Sequence, residues 1–256
     1  MAISRFSNSS IANGFPKYQK FWDQTTYGGI VTNGLLMHVD AGNEASYSGS
    51  GSTWTDISGN GRHITLSGTS YSSTDGGGIV FTGSSGNGTF NMGGVTTSYT
   101  AEAVVYAAAF NSDGSGSSGI MYWTDNSQGH GFIMEVDETT PRKWRFAHRY
   151  PYGTGASTDD FSSSTSPTAG KYHVMYVRNG STSQKIYVNG TEVASATPVY
   201  GGFDSSLTIG TIARVTNTNT NRHWDGRMHQ IRIYNRALSA AEVAQNYNFI
   251  KGKFGI

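Results

Sequence analysis

Apolar and polar residues alternate along most of this chain. From Gly34 onward the dominant period is two, the repeat of a strand that buries one face. Leu35-Leu36-Met37-His38-Val39-Asp40 is the first such run, and residues 63–66, 79–81, 99–106, 119–123, 132–136 and 144–149 follow it. These runs are β-branched and aromatic, and turn residues bound them. A double hairpin is the clearest local pattern. Tyr172-His173-Val174-Met175-Tyr176-Val177 runs into Asn179-Gly180, and Gln184-Lys185-Ile186-Tyr187-Val188 returns. Asn189-Gly190 then turns the chain into Thr191-Glu192-Val193-Ala194. Asn-Gly supplies the positive φ that a type I′ turn demands. Leu207-Thr208-Ile209-Gly210 and residues 228–234 complete the series. About a dozen strands at regular spacing predict an all-β sandwich.

One segment departs from that period. Leu238-Ser239-Ala240-Ala241-Glu242 offers a Ser N-cap with Glu three residues on, a capping box. It predicts a short C-terminal helix that ends near Asn248, with Leu238, Val243 and Tyr247 facing a sheet. Residues 111–119 and 153–167 carry no pattern and read as long polar loops at the sandwich rim.

Composition agrees with many turns between many strands. The 256 residues include 34 Gly, and only 14% are charged, against about 25% in ordinary domains. The 256 residues suit a single sandwich of roughly 200–250 residues. There is no Cys, which excludes disulfides, thiolate metal sites and cysteine nucleophiles. The net charge of +1 and the lack of a basic block argue against nucleic acid as a partner. No apolar run is long enough to span a membrane. The start lacks the apolar core of a signal peptide, so the expectation is folding in a reducing cytoplasm.

Residues 1–33 differ from the rest. Phe6, Phe15, Tyr18, Phe21, Trp22 and Tyr27 crowd among Arg5, Lys17 and Lys20. Such aromatics either pack back on the sandwich or anchor the chain to a partner. Phe6, Phe21 and Trp22 are the candidate attachment residues. The expected organisation is therefore an N-terminal arm over 1–33, a sandwich over 34–249 and a tail over 250–256.

The order of motifs is also familiar. Leu36-Met37-His38-Val39-Asp40-Ala41-Gly42-Asn43 precedes Trp54-Thr55-Asp56-Ile57-Ser58-Gly59-Asn60-Gly61. Ile79-Val80-Phe81-Thr82-Gly83 and Ile186-Tyr187-Val188-Asn189-Gly190 come next. The series ends in residues 226–239, from Gly226-Arg227-Met228 to Ala237-Leu238-Ser239. Together these resemble the laminin-G-like, concanavalin A-like jelly rolls over about residues 34–248. The resemblance implies a concanavalin A-like jelly-roll β-sandwich with one short C-terminal helix. The flanks, Ser4-Arg5-Phe6, Lys17-Tyr18-Gln19-Lys20-Phe21-Trp22-Asp23 and the Lys251-Gly252-Lys253-Phe254-Gly255 ending, resemble virion proteins of tailed phages, cyanophages especially. That implies a structural protein of the virion, assembled in the host cytoplasm, decorating a capsid or forming part of a tail or fibre. Its partners would be other virion proteins, held through the arm, and surface glycans. Separately, the edge strands and the aromatic arm suggest a homo-oligomer.

The resemblance also invites tests. Retaining glucanases of this fold carry Glu-x-Asp-x-Glu or Glu-x-Asp-x-x-Glu. Here the nearest match is Glu135-Val136-Asp137-Glu138-Thr139-Thr140, where Thr stands at both positions for the second Glu. A retaining pair needs two carboxyl groups about 5–5.5 Å apart, so no catalytic residue is assigned. Many relatives hold Ca²⁺ with an acidic residue in the strand before Tyr-Asn-Arg-Ala-Leu-Ser. Met228-His229-Gln230-Ile231 lacks it, so the expectation is no cofactor, with Asp40 and Asp56 the residual Ca²⁺ candidates. The seven His show no metal-ligand spacing. Sugars stack on aromatic faces and exchange hydrogen bonds with polar neighbours. Two clusters fit that chemistry: Arg149-Tyr150-Pro151-Tyr152, and Tyr122-Trp123-Thr124-Asp125-Asn126. Arg149, Tyr150, Tyr152, Trp123 and Asp125 are the candidate glycan-binding residues. A free lectin-like module is the alternative function, and a glycoside hydrolase the third.

Overall fold

The computed structural model describes residues 29–93, 95–110, 116–124, 130–149, 158–200, 202, 208–214 and 222–256. Phe6, Phe21 and Trp22 lie outside the described residues. Sixteen strands, numbered in chain order, fall among the described residues and build two antiparallel sheets. The first sheet uses β1 (Leu35–Asp40), β4 (Ser70–Ser72), β5 (Gly78–Thr82), β7 (Ser98–Ala109), β12 (Gly170–Asn179), β13 (Ser183–Val188), β14 (Thr191–Ala196) and β16 (Asp225–Tyr234). Its order is β14-β13-β12-β7-β16-β5-β4, with β1 also paired to β16. The second uses β2 (Thr53–Trp54), β3 (Ile64–Ser67), β6 (Asn87–Asn91), β8 (Ser118–Thr124), β9 (His130–Val136), β10 (Trp144–Arg149), β11 (Thr158–Ser162) and β15 (Ile209–Ile212). Its order is β11-β10-β9-β8-β15-β6-β3-β2.

The period of two decides which side chains meet between the sheets. In β7, Ala101, Ala103, Val105 and Ala107 enter the core. In β10, Trp144 and Phe146 enter it and Arg145, Ala147 and Arg149 take the opposite face. Phe146 stacks on Tyr176 of the facing sheet at 4.9 Å between ring centroids. In the predicted hairpin, Asn189 and Gly190 both have positive φ, 48° and 75°, as a type I′ turn requires.

The helix α1 (Ala240–Phe254) starts as expected, with Ser239 and Glu242 forming a reciprocal capping box. It does not end near Asn248. It continues to Phe254 because Val243, Asn246, Ile250 and Phe254 keep one buried stripe, and Ile250 and Phe254 close on Val104 of β7. Gly255 then takes the left-handed conformation that terminates it, at φ 65°. Residues 250–254, read from sequence as tail, are thus the last turn of a packed helix. The final residues assigned to the arm also join the sandwich. Val31 is buried and its N–H donates to Asn246 Oδ1 at 2.8 Å.

Four strands escaped the sequence pattern: β2, β4, β6 and β11. They are short or rich in Ser, Thr, Asn and Gly, so their side chains carry little hydrophobic signal. β11 lies inside the stretch read as a loop over 153–167.

α1 lies across the outer face of the first sheet, over a chain of buried polar groups. Asn246 Nδ2 donates to Glu102 Oε2 at 2.8 Å. Glu102 Oε1 accepts from Arg232 and sits 2.9 Å from His173 Nε2. Arg232 also donates to Gln230 Oε1, and Gln230 Nε2 donates to Asp40 Oδ2 at 2.6 Å. Lys253 of α1 closes the chain on both Asp40 oxygens, at 2.8 and 2.6 Å. A bulge in β16 between Met228 and Gln230 makes this possible. Met228 packs in the core, while His229 and Gln230 both reach partners on the outer side.

Candidate functional site

The structure separates the residues selected from sequence. Trp123 is a correction. Its ring is fully buried between the sheets, 4.3 Å from Phe132 and 4.6 Å from Tyr99 between centroids. The alternation of β8 turns it inward, so it presents no face to a sugar. Tyr150, Tyr152 and Asp125 lie outside the described residues. Arg149 ends β10 on the outer face of the second sheet, partly exposed.

That outer face carries the polar groups that the core cannot hold. One register row crosses the whole sheet: Thr53, Thr65, Thr89, Thr211, Tyr122, Ile133, Ala147 and Asp160. Thr53 and Thr65 are exposed, whereas Tyr122, Ile133 and Ala147 are fully buried. Glu135 and Arg145 face each other in the adjacent row.

Glu135 is buried and both of its oxygens are engaged. Tyr122 donates its hydroxyl to Oε2 at 3.0 Å, and Arg145 donates to Oε1 at 2.5 Å. Arg145 reaches the other way to Asp160, with Nε 2.9 Å from Oδ1. Burial opposes charge on Arg145, but Asp160 and Glu135 outweigh it and drive the guanidinium pKa upward. Burial and the Glu135 charge push Tyr122 well above the ordinary phenol value. Arg222 approaches Glu135 Oε2 at only 3.8 Å. Among the described residues Arg149 makes no hydrogen bond or ion pair, its buried Nε included. Burial, then repulsion from Arg145, lowers its pKa. Three guanidinium groups therefore face two carboxylates, and Arg145 already holds both.

This geometry does not resemble a hydrolytic pair. Asp137 accepts the Lys143 N–H at 2.8 Å and holds the turn between β9 and β10. Asp160 lies two strands from Glu135, and the Arg145 guanidinium fills the gap where a scissile bond would sit.

The residues near Asp40 do not fit Ca²⁺ either. Hard Ca²⁺ takes about six to eight oxygens, several of them charged. Here Lys253 caps both Asp40 oxygens, Gly42 N–H donates to Oδ1 at 2.9 Å, and the neighbour in β16 is the amide Gln230. Asp56 is occupied as well, accepting from the backbone of His38, Ser58 and Arg62. These bonds hold its pKa below the usual carboxylate value despite burial. Among the described residues no group of three or more His, Asp and Glu is arranged to hold a metal.

Sequence reasoning missed Arg145, Arg222, Asp160 and Tyr122 as a group. One signal was present. In Trp144-Arg145-Phe146-Ala147-His148-Arg149, period two places both arginines opposite the aromatic residues. The pairing of Glu135 with Arg145, and of Arg145 with Asp160, needs the strand register.

Two eight-stranded antiparallel sheets around a shared core define a jelly-roll β-sandwich. A family model described as the concanavalin A-like lectin/glucanases superfamily matches residues 82–244, and the chain belongs to that family. Several solved structures share the fold. Domain 4 of AbnA, a GH43 extracellular arabinanase from Geobacillus stearothermophilus solved with arabinotriose, aligns with TM-score 0.57 and 15% identity, over 83% of this chain and 98% of that one. The sialidase of Trypanosoma rangeli with the inhibitor DANA aligns at 0.63 and 15%, over 86% of this chain and 33% of its own. The binding domain of Paraclostridial Mosquitocidal Protein 1 aligns at 0.62 and 15%, over 85% and 52%. This chain spans about a third of the sialidase's length. A search of curated proteins found no match.

Proposed function

We propose that this chain is a non-catalytic carbohydrate-binding jelly roll displayed on a larger particle. The observation that carries the binding reading is the contrast between the two outer faces. Among the described residues, α1 packs on the central strands of the first sheet's outer face, while the second presents Arg145, Arg149, Asp160 and a row of threonines. Such groups exchange hydrogen bonds with sugar hydroxyls. The arabinanase domain solved with arabinotriose gives the reading a precedent in a neighbour of the same fold.

The expected result is glycan binding without turnover. On a glycan array the full chain retains at least one oligosaccharide class, and incubation with that glycan releases no reducing ends. Release that disappears in Glu135→Gln would make the protein a hydrolase and overturn the reading.

The particle is, in this proposal, a tailed-phage virion. The support is the resemblance of the aromatic N-terminal segment and the C-terminal ending to phage virion proteins, with Phe6, Phe21 and Trp22 as attachment anchors. Purified virions carrying regular label from an antibody against this chain are the expected outcome. Unlabelled particles would leave a free lectin-like module.

The domain, we further propose, dispenses with Ca²⁺ because Lys253 supplies the cation that Asp40 requires. Addition of EDTA or Ca²⁺ is expected to leave the unfolding temperature unchanged. Lys253→Met, which leaves the Asp40 carboxylate short of partners, should cost about 1–3 kcal/mol. A rise in unfolding temperature with Ca²⁺ in the wild type would refute this.

A further inference from the structure

We propose that Arg149, on the same face as Arg222, binds the carboxylate of an acidic sugar residue, a uronate or a sialate. This deepens the carbohydrate-binding reading and rests on it. The charge distribution on the outer face of the second sheet leads there. Arg145 is saturated: it spans Glu135 and Asp160. Glu135 already accepts from Arg145 and Tyr122, and Arg222 stands back from it at 3.8 Å. Arg149 has no carboxylate partner among the described residues. Among the described residues the face therefore keeps a guanidinium that is partly withdrawn from water and that no carboxylate neutralises. A planar carboxylate is its geometric complement, because the guanidinium fork donates two parallel hydrogen bonds to one.

Asp160 narrows the ligand further. Its side chain is 40% exposed, so it keeps acceptor capacity toward solvent beside the arginines. A bare phosphate or sulfate has no use for such a carboxylate and is repelled by it. A sugar acid carries both halves, an anionic group for Arg149 and hydroxyl donors for Asp160. Thr211, buried in the same register row beside Tyr122, keeps its hydroxyl on Arg214 O at 3.2 Å and is not offered to the ligand.

The test uses the full chain and calorimetry with four probes: oligogalacturonate, sialyllactose, and the carboxyl-reduced form of each. Binding of at least one acidic probe is expected, weakened about tenfold or more when its carboxyl is reduced, and weakened by added salt. Arg149→Ala should lose about tenfold or more, and Arg149→Lys should lose less, because a point charge survives without the fork. Far-ultraviolet circular dichroism confirms that both variants fold. Which acidic probe binds separates uronate from sialate. Equal affinity for the reduced forms, or an unchanged affinity in Arg149→Ala, would overturn this inference while the carbohydrate reading stands. Displacement of the acidic probe by an equal concentration of inorganic phosphate would assign the site to anions in general and overturn it too. Retention of no glycan, neutral or acidic, would remove both.

Discussion

Glu102→Ala is expected to destabilise the protein by about 3–5 kcal/mol, the cost of breaking a buried ion pair by removing one partner. Glu102 and Arg232 are each about 1% exposed, beneath α1. Burial alone would raise the Glu102 pKa. Arg232, His173 and Asn246 outweigh it and hold the carboxyl at about 2. Without the carboxylate, Arg232 keeps a single anchor on the Gln230 amide, and Asn246 loses the acceptor that ties the helix to β7. Stability in the range of about 5–15 kcal/mol makes such a loss large. Urea unfolding measures it. The exposed Lys185–Glu192 pair is the control, each side chain being more than a third exposed or nearly so. Glu192→Ala should shift stability by less than about 1 kcal/mol. A Glu102→Ala effect as small as the Glu192→Ala effect would show that the polar chain under α1 is not what docks the helix.

Acid should destabilise the domain from near-neutral pH downward through three buried histidines. Burial lowers the pKa of His148 and His229 to about 4, and burial with the Arg232 charge lowers His38 to about 3. Each ring is held neutral by its surroundings. His229 Nδ1 contacts Gly77 O at 2.6 Å, while its Nε2 has no partner among the described residues and the ring lies 5.1 Å from Phe254. His148 lies between Tyr99 and Gly202 O. Unfolded histidine titrates near 6.5. Between about 6.5 and 4 the unfolded chain therefore binds more protons than the folded one, and stability falls as pH falls. Three such groups give a slope of about 4 kcal/mol per pH unit. Glu102 adds its own loss lower down, from 4.5 toward 2. Urea unfolding at pH 7, 6 and 5 reads the slope, and His229→Gln should flatten it by about one third. A stability that stays level from pH 7 to 5 would contradict the neutral burial of these rings.

The chain's own pattern determined the class of fold, the long strands, the Asn189-Gly190 turn and the capped start of α1. All are local: a strand's period of two, a turn's demand for positive φ and a cap's reach of three residues are written in neighbouring positions. The pattern also put Arg149 on a candidate surface. It could not decide the direction of Trp123, because an aromatic residue at a strand end reads equally as platform or core. It could not extend α1 past Asn248, because the reward for the last turn is Val104, far away in sequence. Nor could it show what Gln230 does. Seen alone, it is an acidic position lost. In the folded protein a bulge turns it outward, its carbonyl takes Arg232, its amide takes Asp40, and Lys253 returns from the end of the chain to supply the cation. The Arg145 cluster has the same character. Glu135, Arg145 and Asp160 sit on three strands, and only the register that pairs those strands brings their charges within reach and leaves Arg149 without a carboxylate among the described residues.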